Sequence, residues 1–247
     1  MGTLSAVVIA LNEEDRIEPC LRSLDWADEI VVVDGGSRDH TVEIAARYAK
    51  KVRQRPFDDF ASQKNYALGL AEGDWIFSID ADERVSEGLK QSLLKMIKKG
   101  DSRNGFFVRR ANVIFGKPLR FGGQASERIL RVFKKGRGKF EQPIHEKLIV
   151  EGPWGELTGP LIHQSSSTMD EYLKKLRVYT DFEIQWIAKK GLCPTGRDLY
   201  LKPLFLFLRR YLVQGGFLDG YEGFLYHSLS SFYTLFKYVR LKEETHG

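Results

Sequence analysis

Over its first hundred positions the chain alternates short unbroken apolar runs with segments whose apolar residues recur at helical spacing. Residues 5–11 (SAVVIAL) form a β-branched run with no polar alternation, which predicts a strand buried on both faces. Ile17, Leu21 and Leu24 then mark one face of a helix. A second buried strand is predicted at 29–34 (EIVVVD), followed by Gly35-Gly36-Ser37 and a helix over 41–50 through Val42, Ala45, Ala46 and Ala49. A short strand at 51–54, a helix at 61–70, a Gly73-Asp74 turn and a strand at 75–80 (WIFSID) continue the alternation. Ser86 is placed to cap a helix carrying Leu89, Leu93 and Ile97. Such alternation predicts parallel βαβ units with right-handed crossovers, hence an α/β, doubly wound, mostly parallel sheet. The end of the chain reads differently. Residues 169–190 predict one helix with Tyr172, Leu176, Tyr179, Phe182 and Trp186 at steps of three or four. Residues 203–241 hold eleven of the thirty aromatics, interrupted by basic pairs such as Arg209-Arg210. The expected domains are an α/β part over 1–165 (halves of about 1–94 and about 95–165) and a helical C-terminal extension over 166–247.

With 247 residues, 43% hydrophobic and 29% charged, a sizeable core is available and wholesale disorder is excluded. Nowhere do 18 apolar residues run together, so no ordinary membrane-crossing helix is expected. Two cysteines, Cys20 and Cys193, exclude a disulfide scaffold and fit a reducing compartment. The first apolar run lacks a basic leader and ends in Asn12-Glu13-Glu14, so no secretory signal is expected. Ala6 breaks the myristoylation pattern. The formal charge of +5 is unevenly spread. Residues 1–94 carry eleven basic and eighteen acidic side chains, residues 95–139 fourteen and two, and residues 140–247 thirteen of each. A whole-chain sum hides that polarity.

Candidate chemistry concentrates at predicted strand ends. Asp80-Ala81-Asp82-Glu83 directly follows a buried strand, and ligands in open α/β sheets bind at the strands' carboxyl ends. Two aspartates one residue apart can divide the work, one holding a sugar hydroxyl and one a hard cation such as Mg²⁺ or Mn²⁺ shared with substrate phosphates. A solvated acidic turn before a helix would look the same. Asn12-Glu13-Glu14 and Asp34, however, follow two other buried strands, and the three ends converge along one sheet edge.

The ordered segments Ala10-Leu11-Asn12-Glu13-Glu14, residues 31–41 (VVVDGGSRDHT), Gln63-Lys64-Asn65-Tyr66-Ala67 and residues 73–83 (GDWIFSIDADE) resemble the successive blocks of glycosyltransferase family 2. Further along, Pro143-Ile144-His145-Glu146-Lys147, Gly159-Pro160-Leu161-Ile162-His163 and Gly216-Phe217-Leu218-Asp219-Gly220 resemble the bacterial lipopolysaccharide inner-core branch of that family. The resemblance implies a GT-A-type fold, a nucleotide-sugar donor and inversion at the anomeric centre. It implies Asn12 and Glu14 lining the nucleoside pocket, and Asp34 accepting a hydrogen bond from the base, most often uracil. It places Lys64 near the base or diphosphate, Asp80 near the ribose, and Asp82 on the metal that bridges the diphosphate. Glu146 is the implied general base for the acceptor hydroxyl. His163 is placed like a metal-binding histidine of some GT-A enzymes, with His145 as the alternative; a core or surface histidine is the competing reading at both.

The fourteen-to-two basic stretch attracts anions. Interleaved phenylalanines, and Arg103-Asn104-Gly105-Phe106-Phe107-Val108, suggest RNA, but the glycine and aromatic spacing departs from a recognition strand and no zinc knuckle or basic recognition helix accompanies it. The preferred partners are an anionic glycolipid acceptor and the cytoplasmic leaflet rather than nucleic acid. The tail fits a peripheral anchor on the inner membrane face, while helices packed on a core or a dimer interface would share its pattern. The alternatives are a sugar nucleotidyltransferase, though no glycine-rich loop follows the first strand, and a non-catalytic RNA- or membrane-binding protein on the same scaffold.

Overall fold

A computed structural model describes residues 2–124, 127–142, 146–189 and 194–246. Cys193, the Pro143-Ile144-His145 segment and the side chains of Tyr179, Phe182 and Trp186 lie outside the described residues.

The predicted alternation folds as β1 (Leu4–Ala10), α1 (Glu14–Arg22), β2 (Glu29–Asp34), α2 (Thr41–Ala45), β3 (Lys51–Gln54), α3 (Phe60–Leu70), β4 (Trp75–Asp80), β5 (Glu83–Val85) and α4 (Glu87–Lys99). Helix α2 is shorter than its apolar spacing suggests, because after Ala45 the backbone tightens into i→i+3 bonds from Arg47 to Ile44 and from Tyr48 to Ala45. Asp59 caps α3 by accepting from the Ser62 N–H at 2.8 Å, and Ser86 caps α4 through the Leu89 N–H at 3.3 Å. Then come β6 (Gly105–Ile114), β7 (Lys117–Pro118), β8 (Arg128–Lys134), β9 (Gly138–Glu141), β10 (Lys147–Val150) and β11 (Trp154–Ser166).

The main sheet runs β3-β2-β1-β4-β8-β6-β11-β5. Its first four strands pair in parallel, as the helical crossovers require. Strand β8 joins β4 antiparallel, β6 joins β8 antiparallel and β5 joins β11 antiparallel, and of these pairs only β6 and β8 follow one another with no helix between them. Side-chain alternation splits the core in two. Leu4, Ala6, Val8 and Ala10 face Ile17, Leu21 and Leu24 around α1 and Leu89, Leu93 and Met96 of α4. Val7, Val31, Val33 and Ile76 pack with Ala61, Ala67 and Leu68 of α3 on the other side. Helices therefore cover both faces, which is why the strands read as continuous apolar runs.

The chain divides into two compact units, Met1–Arg110 with Arg128–His163, and Ala111–Glu127 with Gln164–Gly247. In the first, Gly159 (φ +90°) lies where a Cβ would collide with the backbone at Gly88 and Leu89, so this position of the Gly-Pro-Leu-Ile-His segment needs glycine to let β11 approach the start of α4.

The second unit holds the end of β6 from Ala111 with β7, α5 (Met169–Lys189), α6 (Lys202–Phe207) flanked by π turns over Arg197–Leu201 and Leu208–Val213, and α7 (Gly220–His246). Helices α5 and α7 meet through buried Glu183, which accepts from the Tyr233 hydroxyl at 2.5 Å and pairs with Lys237 at 3.4 Å. The Gly216-Phe217-Leu218-Asp219-Gly220 segment has a structural job here. Asp219 is buried and its carboxylate accepts from the backbone N–H groups of Arg120 and Phe121 at 2.9–3.1 Å. Gly216 and Gly122 flank the His227 ring so closely that a Cβ on either would strike it.

His227 is 1% exposed and, among the described residues, neither ring nitrogen has a hydrogen-bond partner. Burial, then the nearby Arg210 charge, pushes its pKa below the ordinary imidazole value. A lowered folded-state pKa means the unfolded chain takes up the proton first. The stability that neutral His227 contributes is present above about pH 6.5 and is lost as pH falls below it. Unfolding temperatures between pH 7 and 5 are expected to fall less steeply in His227→Gln than in the parent chain, and equal slopes would refute the assignment.

Candidate active site

Strand register assembles the site. Ala10 lies opposite Asp34 in the β1–β2 pair, and Ile9 opposite Asp80 in the β1–β4 pair, so the three strands end together and release their following loops from one edge. All the residues described below belong to the first unit.

The loops after β1 and β2 are stitched to each other. Asn12, in the left-handed region at φ +53°, donates its N–H to the Ser37 hydroxyl at 2.8 Å and accepts from the Arg38 N–H at 2.9 Å. Glu13 donates to the Thr41 hydroxyl at 2.8 Å. Glu14 accepts from the His40 N–H at 3.0 Å. Asp34 is fully buried. Its Oδ2 accepts from the N–H groups of Gly36 and Ser37, both at 2.9 Å, and its Oδ1 accepts from the Ser37 hydroxyl. An Asx-type turn of this kind shapes the glycine pair after β2, and one acceptor position on Oδ1 remains unused by these bonds.

Beside these loops runs a chain of buried charges. Lys64, on the inner side of α3 and 2% exposed, bridges Asp80 Oδ1 at 2.8 Å and Glu146 Oε1 at 2.6 Å. Its neighbour Asn65 fixes the helix to β9 by exchanging two hydrogen bonds with the Phe140 backbone, at 2.8 and 2.9 Å. Arg131 continues the chain, reaching Asp80 Oδ2 at 2.6 Å and Glu83 Oε1 at 3.0 Å. Glu83 Oε2 accepts from the Asp80 N–H at 3.0 Å, and Arg110 stands 4.0 Å from Glu83. Burial alone would raise Asp80, but the Arg131 and Lys64 charges outweigh it and hold this carboxyl well below the usual carboxylate range. Glu83, wholly buried and beside the Asp80 charge, is pushed up despite Arg131, whose own pKa is raised.

Arg131 is the residue that reading the sequence missed. In the β6–β8 pair Phe106 faces Val132 and Phe107 faces Leu130, so Arg131 is the extra residue of a β-bulge. A bulge re-aims a side chain, and this one buries a guanidinium from the basic stretch against the carboxylates after β4. The fourteen-to-two tally therefore does not describe a single solvated face. A cation inside a run of Ile, Leu, Val and Phe is the only signal the sequence offers for it.

Asp82 and His163 are brought together by another register. His163 lies opposite Glu83 in the β11–β5 pair, which leaves its Nε2 3.4 Å from Asp82 Oδ2. Two adjacent ligands on an octahedral cation with bonds near 2.1 Å stand about 3 Å apart, so one carboxylate and one imidazole at this separation fit a divalent cation whose other positions are filled by substrate and water. Among the described residues no group of three or more His, Cys, Asp or Glu side chains is placed to hold a metal. His145, the alternative ligand, lies outside the described residues. Cys20 is buried, with burial and neighbouring carboxylates raising its thiol well above the usual value, and its Sγ lies 3.6 Å from the Asp80 carbonyl, which suits a structural role.

The site lies at the carboxyl ends of the parallel strands, where open α/β sheets bind ligands, and comparison with known proteins says which family it belongs to. A family model described as Glycosyl transferase family 2 matches residues 5–145. The chain is 32% identical over 230 residues to the lipopolysaccharide core biosynthesis glycosyltransferase LpsC of Rhizobium meliloti (strain 1021), covering 90% of this chain and 85% of that protein. It is 24% identical to the uncharacterized glycosyltransferase RT0209 of Rickettsia typhi, covering 98% and 88%. A crystal structure of S. aureus TarS 1-349 superposes with a TM-score of 0.50 at 14% identity, covering 99% of this chain and 91% of that one, a likeness of fold. The chain belongs to glycosyltransferase family 2 and has its GT-A-type fold.

Removing Arg131 strands two carboxylates in a low-dielectric site. Arg131→Met is expected to lower the unfolding free energy by about 3–5 kcal/mol, read from urea titrations. Adding Glu83→Gln should recover part of the loss, and strictly additive effects would argue against the bridge.

Proposed function

We propose that this enzyme transfers a sugar, with inversion, from a nucleoside diphosphate sugar to a hydroxyl of an anionic glycolipid such as lipopolysaccharide core, at the inner face of the cytoplasmic membrane. The observation that carries the proposal is Lys64, which joins Asp80 and Glu146 in one buried ion-paired chain next to the Asp82–His163 pair. Groups suited to a diphosphate, a cation and an acceptor proton thus share one site.

In this reading Asn12 and Glu14 keep the nucleoside loops in register, and the remaining acceptor position of Asp34 receives the imide N–H of a uracil base. Asp80, already ionised, accepts from the ribose hydroxyls. Lys64 serves the diphosphate. Asp82 and His163 hold Mg²⁺ or Mn²⁺, which when bound neutralises charge on the departing nucleoside diphosphate. Glu146 takes the proton from the acceptor hydroxyl as that oxygen attacks the anomeric carbon and the bond to the diphosphate breaks. Lys64 donates to Glu146 at 2.6 Å; a diphosphate competing for the ammonium would release the carboxylate to act as base, linking base activation to donor arrival. The acceptor class is supported by the similarity to LpsC, described as a lipopolysaccharide core biosynthesis glycosyltransferase. The UDP class of donor rests on the family resemblance and on the Asp34 geometry.

Thermal-shift measurements with UDP, GDP, TDP and CMP, each with and without Mn²⁺, should show metal-dependent stabilisation by one nucleoside diphosphate. Glu146→Gln should bind that donor normally and transfer on the order of 10²–10⁴-fold more slowly. Asp82→Ala should lose metal-dependent turnover at saturating metal. Normal turnover by Glu146→Gln would remove it as the base.

A further inference from the structure

We propose that the helical hairpin of the second unit, from Leu199 through the turn at 214–220 to the start of α7, is an interfacial element that lies in the headgroup layer of an anionic bilayer. The purpose of this surface rests on the reading of a lipid-borne acceptor, but its geometry does not.

The first arm of the hairpin is apolar on every side. Its inner side is already satisfied within the unit. Leu199 and Pro203 are buried, and Phe207 stacks on Tyr211 at 5.1 Å between centroids while both rings meet Phe224 edge-on at 5.7–6.2 Å. The outer side is apolar as well. Val213 is 82% exposed, Tyr200 74%, Tyr221 71% and Phe205 64%, with Leu204 and Leu218 more than half exposed. Large apolar side chains left this exposed on both arms of the hairpin point to a contact surface.

Charge says which surface. Between residues 199 and 221 the single carboxylate is Asp219, which is buried and held by backbone N–H groups. The other charges in that stretch are Lys202, which pairs with Asp198 at 2.5 Å, and Arg209 and Arg210, of which Arg209 is exposed. Apolar side chains, tyrosines with one polar end, and a cationic fringe whose flanking acids, Asp198 and Glu222, are paired with Lys202 and Lys117 are the composition of a helix that lies on anionic lipid. No helix among the described residues is long and apolar enough to cross a membrane, which fits lying on the surface rather than spanning it. The assignment is narrower than the aromatic tail as a whole, because the far end of α7 mixes Lys242 with Glu243 and Glu244.

The test uses the full chain and flotation with phosphatidylcholine vesicles, with and without phosphatidylglycerol. The parent chain should float with the anionic vesicles and detach as salt is raised. A combined Val213→Glu, Leu218→Glu and Tyr221→Glu variant should partition at least about tenfold less, while Ile149→Glu, an exposed apolar position of the first unit, should float like the parent. Because all three positions are exposed, unchanged circular dichroism is expected. Should that variant misfold, Arg209→Glu alone must still weaken binding to anionic vesicles. Transfer to a soluble oligosaccharide acceptor should survive in the triple variant while transfer to glycolipid in vesicles falls. Parent-like flotation of the triple variant overturns the proposal. So does a parent chain that ignores vesicles and forms a dimer which the three glutamates dissociate. A chain that floats as described yet transfers no sugar from any nucleotide donor supports the surface and overturns the functional reading instead.

Discussion

The carboxylate of Asp80, held between Lys64 and Arg131, is the interaction on which the rest of the first unit depends. Its strand, β4, is where the parallel part of the sheet meets the antiparallel part. Lys64 comes from a helix packed over the parallel strands, and Arg131 from the strand that starts the antiparallel ones. One side chain therefore ties both parts of the sheet at the point where ligands bind in such folds. Both cations are nearly inaccessible to water, and each would be costly without its partner. The arrangement stands because every member has at least one opposite charge within about 3 Å.

That economy explains the opposite behaviour of two neighbouring carboxyls. Asp80 is ionised because two cations converge on it, whereas burial and the neighbouring Asp80 charge push Glu83 up despite Arg131. Glu83 therefore acts chiefly as a spacer that keeps Arg131 in place and anchors the Asp80 backbone through its second oxygen. The charge facing a ligand is set by the pair and not by either residue alone.

Local pattern made the parallel part of the sheet legible. The runs at β1, β2 and β4 are rich in β-branched residues because both faces are covered, and Ser86 stands where a helix begins. The meeting of the loops after β1, β2 and β4 at one edge could also be read, since parallel strands of similar length end together. The Asp82–His163 approach was not legible from pattern: it depends on an antiparallel register across some eighty residues, and only family resemblance pointed to His163. Arg131 escaped because a bulge reverses the side on which a residue points, so alternation along β8 and the tally of basic residues both mislead. Asp219 sits in a segment noticed only for its resemblance, and His227 in the aromatic tail. Their work is to lock a loop and to fill the space between two glycines, and it appears once residues a hundred positions apart are side by side.

The division of the chain has a topological corollary. The backbone passes from one unit to the other near positions 110, 127 and 163, so the second unit is made of two separate lengths of chain. The loop at Arg120 and Phe121, encoded in the middle of the gene, is held by Asp219 near its end. Grafting this unit from one relative to another thus requires two coordinated exchanges, since swapping the C-terminal length alone would marry Asp219 to a foreign loop. Recombination at a single crossover cannot move it alone, since a break before Ala111 also carries residues 128–163 of the first unit.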